Sequence, residues 1–196
     1  MIRVTMAVFG SNPHTLEKAI SQAKQIGDEV VVVYGRWKGF DLPWVDPPDF
    51  LVDDPDVKLI ISDHKYVQRH QRNLYLYDLK DGDVLMYWDS DETMSDVADA
   101  VILMNILKNT DDWDSVLLVV KKPDLSYEQS SIRIWNFKKG WTHSKGQILQ
   151  DVDNVMIAGP YYKVLKVDAK DLYIIHHRDK VPGYRGMQRK YWDGLS

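Results

Sequence analysis

The sequence predicts an α/β protein with a mixed, mostly parallel central sheet flanked by helices, and three observations predict it. A strand, a helix and a second strand follow one another in the first third of the chain. The second strand carries four consecutive valines, Val30 to Val33, and a later apolar run, Val84-Leu85-Met86-Tyr87-Trp88, stops abruptly at Asp89-Ser90-Asp91. A β-branched run suits a strand covered on both faces, as parallel strands are. After Lys121 the alternation breaks down, which predicts a small, β-rich C-terminal region.

The elements follow in order. Arg3 to Phe9 reads as a mostly buried strand, and Gly10-Ser11-Asn12-Pro13 starts a helix whose Leu16, Ala19, Ile20, Ala23 and Ile26 recur at helical spacing. Gly27-Asp28 ends it, and Glu29 to Tyr34 forms the second strand, reached by a right-handed crossover. Asp41 to Asp56 holds four of the eight prolines and reads as a structured surface loop. Lys58 to Ser62 is a third strand, Tyr66 to Leu79 a helix, and Asp81-Gly82-Asp83 the turn into the strand ending at Asp89. Ser95 to Lys108 is an amphipathic helix. The remaining strands are Ser115 to Val120, Ser131 to Phe137, Val155 to Ala158, Tyr162 to Val167 and Leu172 to His177. Residues 178–196 read as a mobile tail. One domain is expected over residues 1–196.

Composition excludes several classes. Hydrophobic residues make up 44% and charged residues 28%, the profile of a globular protein. A net charge of -4 disfavours nucleic acid as a partner, since phosphate contacts call for a basic surplus. No cysteine is present, so disulfides, thiolate metal sites and cysteine nucleophiles are excluded. No run approaches the ~18 apolar residues of a membrane span, and the N-terminus enters a strand directly, so a cytoplasmic protein is expected; peripheral membrane contact stays open. The 7 Trp and 11 Tyr are enough for one or two to stack on a sugar, although most should be core.

The chemistry centres on the acidic pair. On a strand, Asp89 and Asp91 would point to one face and could converge on one cation, with Ser90 facing away. A polar turn after a buried strand is the plain alternative. Ligands of parallel sheets bind beyond the carboxyl ends of strands, which here are Phe9-Gly10-Ser11 and Tyr34-Gly35-Arg36.

In chain order, the first strand with Asn12, Glu29 to Val33, Gln71-Arg72-Asn73, and Asp81 to Val84 leading into Trp88-Asp89-Ser90-Asp91-Glu92 resemble the inverting, family 2-like glycosyltransferases of the GT-A fold. The likeness covers roughly the first half of the chain. In size and compact C-terminal part the chain is also similar to a small viral member of that class, which would place it in the host cytoplasm.

The resemblance implies a nucleotide-sugar-binding half over residues 1–120 and an acceptor-side half over 121–177. It implies a nucleotide-sugar donor, a glycan or glycoprotein acceptor, and Mn²⁺ or Mg²⁺ bridging the donor phosphates at a DxD motif. Asp91 would be the first metal ligand; Asp89 would contact the sugar, the ribose or a metal-bound water. Phe9, Ser11, Tyr34, Arg72, Asp89 and Ser90 would hold the nucleotide sugar, and His177, preferred over His176, would complete the metal site. Asp151 would be the base on the acceptor side, with Asp153 and His143 as substitutes. Tyr34-Gly35-Arg36 departs from the family, which often has an Asp there to read the base.

Three other readings compete. A haloacid dehalogenase-type phosphatase would use Asp89 as nucleophile, but its motif usually sits on the first strand, and three strands precede it here. A sugar nucleotidyltransferase shares strand order and metal chemistry, yet Gly10-Ser11-Asn12-Pro13 lacks the expected basic glycine-rich loop. An inactive nucleotide- or glycan-binding module is the third.

Overall fold

A computed structural model of the protein describes residues 1–8, 13–37, 46–66, 68–143, 149–151, 153, 156–157 and 161–177. The first unit is β1 (Ile2–Val8), α1 (Pro13–Ile26) and β2 (Glu29–Trp37), then α2 (Asp49–Val52), β3 (Val57–Tyr66) and α3 (Gln68–Leu74). Next come β4 (Val84–Trp88), β5 (Glu92–Met94), α4 (Val97–Lys108), β6 (Ser115–Lys121) and β7 (Tyr127–Asn136). The short strands β8 (Thr142–His143), β9 (Leu149–Gln150), β10 (Val164–Lys166) and β11 (Tyr173–His176) follow.

The main sheet runs β3-β2-β1-β4-β7-β6-β11-β5, and β10 pairs with β6 beside β11. β3, β2, β1 and β4 are parallel throughout. Beyond them β7 is antiparallel to both β4 and β6 and β5 is antiparallel to β11, while β10 and β11 run parallel to β6, so the sheet is parallel through its first four strands and mixed after them. The C-terminal part is β-rich, as expected, and continuous with the main sheet: β7, β10 and β11 join it, and among the described residues β8 and β9 form a second, two-stranded sheet.

Period-two alternation divides the core into two layers. Val30, Val32, Val84, Met86 and Trp88 face one layer, with α1 and α4; Val31, Val33, Leu85 and Tyr87 face the other, with Tyr75, Trp135 and Leu149. Both faces of these strands are covered, which is why their sequences show apolar runs rather than alternation. This parity also fixes the site: Tyr87 and the residue two beyond it, Asp89, belong to the face covered by α3.

Two elements differ from the sequence reading. The helix expected over Tyr66 to Leu79 is only α3, because β3 extends to Tyr66, and the apolar stretch Leu76 to Leu79 follows the helix as a turn with Asp78 at φ 66°. Leu76 and Leu79 are buried all the same. Val155 to Ala158 is represented among the described residues by a single bridge, Gln150 to Met156. α4 begins at Val97, two residues after the expected Ser95, with Asp96 accepting the Asp99 N–H at 3.0 Å as its N-cap. Its apolar residues are not confined to one face, since Ile102 and Ile106 are exposed. Among the described residues, no helix is long and apolar enough to cross a membrane.

Gly35 sets how closely α3 approaches the sheet. A Cβ at this position would lie 2.1 Å from Gln71 Nε2 and 2.7 Å from the Ser62 carbonyl oxygen. Only glycine lets the helix dock this tightly. The next residue along α3 is Arg72.

Candidate functional site

β4 ends at Trp88, and Asp89 to Asp91 form a turn rather than a strand continuation. The turn is closed reciprocally: the Glu92 N–H donates to the Asp89 carbonyl at 3.0 Å, and the Asp89 N–H donates to Glu92 Oε2 at 3.0 Å. The strand-face geometry that would aim both aspartates at one cation is therefore corrected. Each carboxylate has its own surroundings.

Asp89 is held from beneath. Arg72 Nη2 donates to its Oδ1 at 3.3 Å, the Tyr87 hydroxyl donates to the same oxygen, and Arg133 Nη1 lies 3.6 Å from Oδ2. The Tyr87 ring carries Arg72 at 4.0 Å and Arg133 at 5.1 Å from its centroid. Both guanidinium groups are buried, and the Arg72 expected to reach the donor instead braces Asp89 from behind. Burial opposes ionisation of Asp89, but Arg72, Arg133, the Tyr87 hydroxyl and His176 together hold its carboxyl below the usual range. Asp89 is thus a fixed anion.

Asp91 is more open. Its Oδ2 accepts from His176 Nε2 at 2.9 Å, with side chains 30% and 25% exposed. The register explains the choice of histidine. β11 pairs His176 with Glu92, next to Asp91, while the His177 ring turns to Thr93 Oγ1 at 2.7 Å. Only the His177 backbone serves Asp91, its N–H donating to the Asp91 carbonyl at 2.7 Å. It is therefore the His176 ring, and not that of the preferred His177, that lies against Asp91.

Glu92 and Arg133 were not singled out from the sequence. Arg133 Nη2 donates to Glu92 Oε1 at 2.6 Å, a fully buried pair, and burial lifts Glu92 to about 7 against the pull of Arg133. Arg133 sits at a bulge. Val116 pairs with Ile134 and Leu117 with Ile132, leaving Arg133 as the extra residue. Bulges re-aim side chains, and a charged residue in an apolar strand, Ile132-Arg133-Ile134-Trp135, was the available signal. The site therefore draws on both expected halves of the chain, since Arg133 and His176 lie beyond residue 120.

Other expected residues lie elsewhere. Phe9 and Ser11 fall outside the described residues. Ser90 is buried within the turn. The Tyr34 ring packs in the core layer of α1, and its hydroxyl donates to the Asp46 carbonyl at 3.4 Å. His143 is a core residue, paired through Nε2 with the Tyr75 hydroxyl at 2.9 Å.

Asp151 accepts from the Tyr162 hydroxyl and from the Asp153 N–H at 2.9 Å. Tyr162 packs on Trp141, which packs on Phe137, whose N–H donates to the Asp83 carbonyl ahead of β4. Asp89 follows the far end of that strand, six residues beyond Asp83 and about 20 Å from it at ~3.3 Å per residue.

Among the described residues, no three His, Asp or Glu side chains gather as a metal cage. The Asp91–His176 pair supplies one hard oxygen and one imidazole nitrogen. That donor set fits a divalent ion that takes its other ligands from phosphate oxygens and water.

No known family and no curated protein matches the sequence. Among solved structures, Rv0371c from Mycobacterium tuberculosis H37Rv, in complex with manganese, superposes with a TM-score of 0.51 at 11% identity, over 96% of this chain and 97% of that one. HddC from Yersinia pseudotuberculosis gives 0.51 at 10% identity, over 96% and 99%. The chain shares its fold with these two proteins. GalNAc-T7 with UDP, GalNAc and Mn²⁺ follows at 0.42 and 13% identity, over 90% of this chain and 34% of that one, too distant to bear on function. In the shared fold, the acidic turn lies at the carboxyl end of β4, beside those of β1 and β2, where open α/β sheets bind ligands.

Proposed function

We propose that the protein is a metal-dependent glycosyltransferase that moves a sugar from a nucleoside-diphosphate donor to an acceptor hydroxyl with inversion. The observation that carries this reading is the Asp91–His176 pair, 2.9 Å apart at the carboxyl end of β4, next to an Asp89 kept ionised by two buried arginines. Asp91 and His176 would hold Mn²⁺ or Mg²⁺, and Asp89 would face the sugar, the ribose or a metal-bound water. Bound there, the ion supplies charge stabilisation for the departing diphosphate. The manganese complex of Rv0371c, which shares the fold, supports a divalent ion.

Inversion follows from direct displacement by an acceptor whose proton passes to a base on the opposite side of the sugar. Asp151, held by the Tyr162 hydroxyl, is not assigned that role. The test pairs a panel of nucleotide sugars with Mn²⁺ and measures release of nucleoside diphosphate, with a thermal shift for each nucleoside diphosphate. Pyrophosphate from a nucleoside triphosphate plus a sugar 1-phosphate would instead make it a nucleotidyltransferase. Absence of any metal-dependent shift across the panel would overturn the reading.

A further inference from the structure

The acidic turn is tied on three sides. Glu92 receives the Asp89 N–H through Oε2 and Arg133 Nη2 through Oε1, and Arg133 Nη1 reaches back to Asp89 Oδ2 at 3.6 Å. On the opposite flank, the His177 N–H donates to the Asp91 carbonyl and His176 to the Asp91 carboxylate. Glu92 is 1% exposed and Arg133 is fully buried, so both support the turn from beneath its surface. A buried ion pair of this kind is weak grounds for stability, because its desolvation offsets its attraction. It fixes geometry instead, and the bulge in β7 is what aims Arg133 at it.

We infer that Glu92, anchored by Arg133, is a positioning residue that locks the Asp89–Glu92 turn in the shape that carries Asp91 to His176. The consequence for ligand affinity rests on the nucleotide-sugar reading above; the consequence for the turn does not.

Amide hydrogen exchange tests the turn without any ligand. In Glu92→Ala, protection of the His177 N–H, which shares no bond with Glu92, is expected to fall about tenfold relative to the β1 amide of Val4. Glu92→Gln, whose amide oxygen still accepts the Asp89 N–H, should recover part of it. If Glu92→Ala does not fold with Arg133 left unpaired, the double variant Glu92→Ala/Arg133→Met removes both charges and should show the same loss. Unchanged His177 protection in the folded variant overturns the inference, because a merely charge-neutralising Glu92 would not move it.

Calorimetry with Mn²⁺ and a nucleoside diphosphate then tests the consequence. Affinity is expected to fall 10- to 100-fold in Glu92→Ala. Equal affinity in the variant and the parent overturns the link from turn to ligand. Absence of binding in the parent overturns the proposed function, while the exchange result still decides the positioning role.

Discussion

His176 donates to the Asp91 carboxylate at 2.9 Å, and its neighbour His177 does not reach that carboxylate through its ring. Adjacent residues of a strand face opposite ways, so the two histidines make an internal control. Loss of Asp91 or His176 should weaken Mn²⁺-dependent nucleoside-diphosphate binding by about two orders of magnitude, about 3 kcal/mol. His177→Ala should change it less than about threefold, near 0.6 kcal/mol. Calorimetric titration of the three variants checks this, and a larger effect from His177→Ala than from His176→Ala would refute the assignment.

Arg72 makes a second prediction, for the ionisation of Asp89. Replacing it with Met leaves Asp89 with Arg133 and the Tyr87 hydroxyl but removes the bond at 3.3 Å. The variant should be destabilised by about 2 kcal/mol, within the range for breaking a buried charged bond. Metal-dependent binding should weaken with it. A lysine in place of the arginine would keep the charge but not the planar stacking on Tyr87, so Arg72→Lys should recover only part of the stability. Urea denaturation of both variants measures it.

Much of the fold was legible because its strands are covered on both faces. Val30 to Val33 and Val84 to Trp88 had to be apolar at every position, and a run of that kind is readable without knowing its partners. The acidic turn was legible for the same reason, as the place where such a run stops. What escaped depends on pairing. Arg133 sits at the bulge in β7 and bonds Glu92; its lone charge among Ile132, Ile134 and Trp135 marks it in the sequence, but its partner does not follow from that local pattern. The choice between His176 and His177 turns on the β5–β11 register, which is set by the partner strand. Asp151 looked apt by position along the chain, but position along the chain did not reveal Tyr162 as its partner.

Gly35→Ala should loosen the site from a distance. Its Cβ would collide with Gln71 Nε2 at 2.1 Å and, less forgivingly, with the Ser62 backbone oxygen at 2.7 Å. The side chain can swing away but the strand cannot, so the cost should be that of an overpacked core, about 2 kcal/mol. Because Gln71 precedes Arg72, α3 should shift and ligand affinity should fall along with stability. A folded variant of parental stability in urea would show that the helix docks less tightly than these contacts require.

The acid limb of stability follows from carboxylates held below their usual range. Asp28 is lowered by the Lys108 ammonium and the Ile2 N–H. In Asp114 burial pushes the other way, but Lys138 and the Lys163 N–H win and the carboxyl is lowered. A group lowered on folding contributes stability above its unfolded value, and that contribution is lost as pH falls through the folded one. Both should therefore weaken the fold below about pH 4. Glu92 works in the opposite sense. Raised by burial to about 7, it binds a proton more tightly in the folded state, so its contribution is present at low pH and is lost as pH rises towards that value. Stability should pass through a maximum between about pH 4 and 5 and decline gently towards neutrality. Urea midpoints from pH 3 to pH 8 would show it. Asp114→Asn should flatten the acid limb alone, and Glu92→Gln the decline towards neutrality alone; an acid limb unchanged in Asp114→Asn would mean that the Lys138 and Lys163 contacts do not hold that carboxylate in solution.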